Sequence, residues 1–297
     1  MAKTIKRNWK QYNERKVHEV EILFDPEYLK AKLKIPEINN AGKVGRPFRY
    51  TNAMIALYTI PATYLRLPMR QVEGLARIIS KITGVKATPD YTTLWRRKNK
   101  LSIDITDEEI DLNKPTTIAI DATGFKVTNR GDWIRHKWRK RRGFVKLHLA
   151  VDIETKEIVS WEVTTEAVGD NKKFKELVDG AKKKRNVNKV LADGAYDSRE
   201  NFHLLAENKI EPGIKIRTNS SSKRRGCDLR QEAVLYVQEN GYERWREKVG
   251  YGYRWMSETA NSALKGRFGE YMQSRTFDNM CREIGWMISV YNILRTV

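Results

Sequence analysis

The chain has 297 residues, with 57 Lys and Arg against 37 Asp and Glu, and therefore a formal net charge of +20 at pH 7. Because like charges repel one another in the compact state, such an excess is typical of proteins that bind a polyanion, most often nucleic acid. Hydrophobic residues make up 40% of the chain and aromatic residues 10%, which excludes a disordered protein. The length is sufficient for two domains with a hydrophobic core.

The sequence does not indicate a membrane or secreted protein. Its best candidate for a membrane span, residues 53–65, is 13 residues long and contains Pro61, so it is too short to cross a bilayer. The N-terminus "MAKTIKRNWKQYNERK" has no apolar segment of the kind found in signal peptides. The two cysteines, Cys227 and Cys281, provide neither a disulfide framework nor the spacing of a zinc site. We therefore expect a cytoplasmic protein in a reducing compartment.

The first part of the chain has helical patterns. Thr51 is expected to cap a helix, and the apolar residues of "PMRQVEGLARIISKITG" recur at helical intervals up to Gly84. Asp90 is expected to cap a third helix, which carries the basic residues Arg96 and Arg97. A helix, a turn and a second, basic helix fit the outline of a helix-turn-helix module, although a solvated basic face has the same pattern. We expect an all-α region that binds DNA.

The second part of the chain alternates between strand and helix patterns. The predicted order is β-β-β-α-β-α-β, then an intervening segment and a final helical region. Asp170 is expected to cap the first of these helices, and Asp197 has capping-box spacing for the second. The sequence therefore predicts an N-terminal helical domain over residues 1–112 and an α/β domain over residues 113–297.

Three acidic residues stand out against this pattern. The first predicted strand ends at Asp121 and the fourth ends at Asp193, while Glu258 lies in the final helical region. Taken singly, each aspartate could be a strand-end cap and the glutamate a salt-bridge partner of Arg254. In open α/β sheets, however, sites gather at strand ends, and a buried carboxylate without a partner costs several kcal/mol. Divalent cations such as Mg²⁺ can be the partner of a buried carboxylate. Two such ions about 4 Å apart, held by about three carboxylates, can promote in-line displacement at the phosphorus of a phosphodiester.

The segment "YGYRWMSETANSALKGRFGE" adds a more specific signal. Four of its residues follow the spacing Y-x2-R-x3-E-x6-K: Tyr251, Arg254, Glu258 and Lys265. On a single α-helix these spacings would place all four on one face. Together with Asp121 and Asp193, the set resembles the acidic triad and helix signature of one large class of bacterial and archaeal insertion-sequence transposases of the DDE type. The segments "DGAYDS" and "GRPFRYTNAMIAL" are similar to that class too, and the resemblance extends from about Trp9 to Leu294.

The resemblance implies a fold, a chemistry and a set of partners. The fold would be an RNase H-like core, a mixed five-stranded sheet with flanking helices, preceded by the all-α region with its helix-turn-helix. Asp121, Asp193 and Glu258 would be the catalytic residues and the ligands of two Mg²⁺ ions, with Mn²⁺ as a substitute and Asp121 as the bridge. The partner would be double-stranded DNA at the element's inverted repeats and at the target, bound by a homodimer in the synaptic complex. In a prokaryotic cell, the DNA-bound form would be associated with the nucleoid.

Several basic residues are expected to contact this DNA. Arg254 and Lys265 would bind phosphates near the cut, and Tyr251 would stack on a base or pack against the DNA backbone. Arg96 and Arg97 belong to the basic N-terminal helix. A basic arm between the first two strands adds six more: Arg135, Lys137, Arg139, Lys140, Arg141 and Arg142. We expect this arm to track phosphates, with a solvated hairpin tip as the alternative.

Two other functions are compatible with the same residues. One is a metal-dependent nuclease or resolvase on the same core, which would cut DNA without joining it. The other is a non-catalytic DNA-binding protein derived from a transposase. The long helical region favours recognition of DNA ends over simple cutting, and the presence of all three acids favours a working enzyme.

Overall fold

The computed structural model describes most of the chain. Its described ranges are residues 8–25, 27–28, 44–84, 88–101, 113–127, 143–223 and 225–295. The chain forms two compact units, one comprising residues 1–108 and 285–297 and the other residues 109–284. These units are defined by contacts within the chain, whereas the division predicted at residue 112 concerns function and stays a prediction.

The described part of the first unit begins with four α-helices. They are α1 (Trp9–Glu21), α2 (Asn52–Tyr64), α3 (Met69–Thr83) and α4 (Tyr91–Lys98), with a 3₁₀ turn at Ile22–Phe24. The predicted caps are confirmed: Thr51 Oγ1 accepts a hydrogen bond of 3.1 Å from the backbone of Met54, and Asp90 Oδ1 accepts one of 2.7 Å from Thr93. Gly84 ends α3 with a φ of 70°, a conformation that glycine adopts without strain.

Helices α2, α3 and α4 pack against one another around a small apolar core. Ile55, Tyr58, Val72 and Leu94 are buried in it. Seven residues, 84–90, connect α3 to α4, whereas the turn of a helix-turn-helix has about three or four. The helix-turn-helix therefore stays a prediction.

The second unit is built on a mixed five-stranded sheet. Its strands are β1 (Pro115–Lys126), β2 (Phe144–Asp152), β3 (Ile158–Thr165), β4 (Asn186–Ala192) and β5 (Glu211–Ile214). The strand order is β3-β2-β1-β4-β5, in which β1 is antiparallel to β2 and β2 to β3, while β1, β4 and β5 run parallel. This is the predicted fold class, a mixed sheet with flanking helices after an N-terminal helical region.

Five further helices lie in the chain after β3. They are α5 (Phe174–Lys182), α6 (Arg199–Glu207), α7 (Asp228–Val249), α8 (Trp255–Phe268) and α9 (Phe277–Ile293), and α7 is kinked at Gly241, whose φ is 80°. No helix within the described ranges has both the length and the apolar character needed to cross a membrane.

The two faces of the sheet have different partners. Ile118 and Ile120 of β1 are fully buried in the main core together with Phe174 of α5 and Phe202 of α6. Helix α8 contacts β1 and β2. Because side chains alternate along a strand, Asp121 faces away from the main core, towards α8. The fold thus places a carboxylate of β1 under the helix that carries Glu258.

Two predicted helix caps are wrong. Helix α5 begins only at Phe174, after a 3₁₀ turn, and the carboxylate of Asp170 instead lies 3.0 Å from Lys146 Nζ. The cap of α6 is Ser198, whose Oγ accepts a hydrogen bond of 3.2 Å from the backbone of Asn201. The adjacent residue, Asp197, is used in a longer-range contact.

Candidate active site

Asp121 and Asp193 lie side by side on neighbouring strands in the middle of the sheet, and the strand end predicted at Asp121 is wrong because β1 continues to Lys126. Strands β1 and β4 are parallel neighbours, and their register pairs Ile120 with Ala192. The next residue on each chain is therefore one of the two aspartates. Asp193 also accepts a hydrogen bond of 2.9 Å from the backbone of Ala195 and so caps the 3₁₀ turn Gly194–Tyr196 that follows β4. The sheet topology thus brings together two acids that are 72 positions apart in the sequence.

Glu258 contributes a third negative charge close enough to act on Asp121. It lies in the first turn of α8. Burial raises the pKa of Asp121, and the charges of Asp193 and Glu258 raise it further, while Arg254 acts in the opposite direction. The three carboxylates predicted as a catalytic set therefore act electrostatically on one another.

Arg254 is the cation that offsets these charges. Its guanidinium donates a hydrogen bond to Glu258, four residues further along the chain, so the predicted alternative of a salt bridge between them is present. Burial lowers the pKa of Arg254, but the neighbouring Tyr251 and Glu258 outweigh it and hold that pKa above its ordinary value. Arg254 is thus fixed in its charged form beside the acids.

The prediction of one continuous helical face for the four signature residues is wrong. Gly250, with a φ of 68°, ends α7, and Tyr251–Arg254 forms a 3₁₀ turn before α8 begins at Trp255. The Tyr251 side chain is buried, with its ring centroid 5.1 Å from that of Trp245, and this burial raises the pKa of Tyr251 to about 12. Its ring packs against protein, and a contact with DNA stays a prediction.

One residue of this site was missed by the sequence analysis. Asn261 lies one helical turn after Glu258 and donates a hydrogen bond of 3.1 Å from Nδ2 to Asp121 Oδ2. Its amide is buried, and Oδ1 has no hydrogen-bond partner in the structure. The signal that could have found it is its position, since residues three apart on a helix lie on the same face.

The donor atoms at this site suit a hard divalent cation. Three carboxylates and the unpartnered amide oxygen of Asn261 are ligand types that Mg²⁺ and Mn²⁺ accept. A dication would also offset the burial and the mutual repulsion that raise the pKa of Asp121. Among the described residues, however, no three His, Cys, Asp or Glu side chains are arranged as a metal site, and Glu258 is paired with Arg254 instead.

The predicted DNA-binding cations have different surroundings. Lys265 is half-buried, with Nζ 5.8 Å from the centroid of the Phe125 ring. Arg96 is exposed, whereas Arg97 donates hydrogen bonds to the Tyr50 carbonyl at 3.1 Å and to Asn52 Oδ1 at 2.6 Å. The six residues of the basic arm lie outside the described residues: Arg135, Lys137, Arg139, Lys140, Arg141 and Arg142.

Comparison with known families gives this geometry a context. Residues 112–293 match a family model described as a transposase DDE domain, and residues 18–130 match a second model of the same description. The first match covers more than half of the chain and contains all three acids. The chain therefore belongs to the family of DDE transposases, nucleotidyl-transferase enzymes that act on DNA and generally use divalent metal ions.

Proposed function

We propose that this protein is an insertion-sequence transposase that binds the terminal inverted repeats of its element and catalyses metal-dependent DNA strand cleavage and strand transfer. The observation that carries the proposal is that neighbouring strands place Asp121 beside Asp193 and that the charge of Glu258 acts on Asp121, all within the segment matched to the transposase family. Residues 113–297 would form the catalytic domain, and residues 1–112 would recognise the element's ends.

The three acids are proposed as the catalytic residues and as the ligands of two Mg²⁺ ions, for which Mn²⁺ could substitute. When bound, such ions supply activation of the attacking oxygen and stabilisation of the leaving oxygen during in-line displacement at phosphorus. Asp121 has the central position, because it interacts with both other acids and accepts the Asn261 hydrogen bond. Arg254 orients the Glu258 carboxylate from one helical turn away.

The proposed reaction has two displacements at phosphorus. In the first, water attacks the phosphodiester at an end of the element; the bond to the 3′ oxygen breaks, and a free 3′-OH is produced. In the second, that 3′-OH attacks a phosphodiester of the target DNA and forms the joining bond while a target 3′-OH leaves. Because both ends of the element must be joined to one target, we expect a homodimer in the synaptic complex.

The cations near the acids would hold the DNA during these steps. Arg254 and Lys265 lie on the segment that carries Glu258, where charged donors can bind phosphate oxygens. Arg96 and Arg97, together with the basic arm at residues 135–142, would extend this phosphate contact. Tyr251 would contribute chiefly by supporting Arg254, whose guanidinium carbon lies 5.7 Å from the centroid of its ring.

A Glu258→Gln variant separates the enzyme from a binding protein. The change removes one carboxylate charge and keeps the side-chain size, so DNA binding should be retained while metal-dependent cleavage is lost. Glu243→Gln is a matched control, because Glu243 is also an exposed carboxylate paired with an arginine nearby in the sequence, Arg246, at 3.3 Å. Cleavage that survives in Glu258→Gln would contradict the proposed active site.

The same experiment distinguishes the alternatives. Cleavage by the wild type without joined products would favour the nuclease or resolvase. A wild type that binds the element's ends tightly but makes no cuts, with unchanged affinity in Glu258→Gln, would favour a non-catalytic DNA-binding protein.

A further inference from the structure

A basic pocket lies beside the proposed active site. It is formed by the residues that follow the 3₁₀ turn after β4 and by the loop between β5 and the start of α7. Five cations and one carboxylate belong to its lining: Arg199, Arg217, Lys223, Arg225, Arg230 and Asp197. None of these six residues belongs to the predicted catalytic set.

The one carboxylate is already neutralised by one of the five cations. Asp197 is buried and accepts hydrogen bonds from Arg230, at 2.7 Å from Nε and 3.1 Å from Nη2, and another of 2.8 Å from Ser220 Oγ. Within the described ranges, no carboxylate pairs with any of the other four cations of the pocket. The pocket therefore presents four positive charges that no carboxylate of the described residues pairs with, which points to an anionic ligand.

The pocket is physically tied to the loop that carries Asp193. Arg217 donates hydrogen bonds of 2.6 Å to the carbonyl of Gly194 and 3.1 Å to that of Ala195, the two residues that follow Asp193. The four residues from Asp193 to Asp197 can span at most about 14 Å. Phosphates of one DNA strand follow one another about every 3.4 Å along the helix axis. A strand lying over Asp193 could therefore reach the pocket within about four nucleotides.

We propose that this pocket binds backbone phosphates of the DNA within about four nucleotides of the phosphodiester that the enzyme cuts. This inference rests on the proposed function and adds a binding site to it. Arginine presents a planar fork of donors that matches phosphate oxygens, and such contacts fix the register of DNA without reading its bases. The pocket thus positions the strand on Asp193, and its contribution to affinity depends on salt rather than on sequence.

The first test neutralises two exposed cations of the pocket in a Lys223→Gln, Arg225→Gln double variant. The matched control is Lys183→Gln with Lys209→Gln, which removes the same charge from exposed positions just before β4 and β5, at the end of these strands opposite the pocket. Lys209 and Arg225 both have a positive φ, 56° and 41°, so each double variant places one glutamine in a left-handed backbone conformation. Both double variants remove charge without emptying a core position.

The measurement is the salt dependence of binding to a duplex carrying the element's end, without divalent ions. Each phosphate contact contributes roughly −0.9 to the slope of log K against log salt concentration. We expect the slope to fall in magnitude by about 2 in the pocket variant and to stay close to the wild-type value in the control. Equal slopes in the two variants would overturn the proposal.

A second measurement locates the contact. Single uncharged methylphosphonates are placed along each strand, and affinity is compared between the wild type and the Lys223, Arg225 variant. Phosphates contacted by the pocket are those whose neutralisation weakens the wild type but not the variant, and we expect them within about four nucleotides of the wild-type cut. If the phosphates identified in this way lie far from the cut, the proposed position of the DNA on the pocket is wrong.

Failure of this inference can be told from failure of the proposed function. Strand cleavage by the wild type reports on the function, whereas the salt slope reports on the pocket. Equal slopes in a protein that cuts DNA would overturn the pocket alone. A lower slope in the pocket variant of a protein that cuts no DNA would support phosphate binding while contradicting the enzyme.

Discussion

Replacement of Asn261 by alanine tests whether the amide positions Asp121 for catalysis. The change removes the 3.1 Å hydrogen bond from Nδ2 to Asp121 Oδ2. A hydrogen bond to a charged acceptor contributes roughly 1.5–3 kcal/mol. If that bond holds Asp121 during the reaction, its loss should slow cleavage by roughly 10- to 150-fold, since each 1.36 kcal/mol is a factor of ten.

The assay is single-turnover cleavage from a preformed complex with DNA, followed over a range of pH. Loss of a donor to the carboxylate should raise the pKa of Asp121 further, so the acid limb of the rate profile should move to higher pH. Ser262→Ala, at the neighbouring exposed position of α8, is the control. A full cleavage rate and an unshifted profile in Asn261→Ala, with unchanged thermal unfolding, would refute the positioning role.

Three further predictions concern stability. Burial lowers the pKa of His148 to about 4, below its unfolded value of about 6.5. Protonation therefore favours the unfolded state, and the free energy of unfolding should fall by roughly 2–3 kcal/mol between pH 7 and pH 4.5. Urea unfolding of wild type and His148→Gln at both pH values checks this, and an equal loss in the variant would contradict it. Arg185→Met leaves the buried carboxylates of Asp152 and Glu157 without their cation and should cost about 3–5 kcal/mol at pH 7. Since burial raises the pKa of Glu157, this loss of stability should be smaller at pH 5 than at pH 7. Denaturant unfolding at both pH values measures it, and an equal loss at pH 5 would contradict the role of charge. Tyr251→Ala should destabilise by about 3–5 kcal/mol and Tyr251→Phe by far less, because the ring is packed in the protein; similar melting temperatures for both would contradict that packing.

Local signals of the sequence were sufficient for much of the fold. The caps at Thr51 and Asp90 use a side-chain oxygen three residues before the donor, which a short window of sequence contains. The nearness of Asp121 to Asp193 could be predicted from the order of the strands, although β1 continues to Lys126 and Asp121 does not end it.

Features that depend on distant partners could not be predicted in this way. Asp197 has the spacing of a helix cap, but its carboxylate accepts a hydrogen bond from Arg230, 33 positions further along the chain. Ser198 caps α6 instead. The 3₁₀ turn at Tyr251–Arg254 follows from the left-handed conformation of Gly250, whose effect on the next turn is not contained in the Y-x2-R-x3-E-x6-K spacing. The hydrogen bond from Asn261 to Asp121 joins residues 140 positions apart.

The most direct test of the account is a strand-transfer assay with the DNA that flanks the gene. Purified protein is incubated with that DNA and Mg²⁺, and new 3′ ends and joined products are measured beside the variants Asp121→Asn, Asp193→Asn and Glu258→Gln. We expect cut and joined products with the wild type, and neither product with any of the three variants, each of which should still bind the DNA. Joined products made by any one of these variants at the wild-type rate would contradict the assignment of the three acids to one active site.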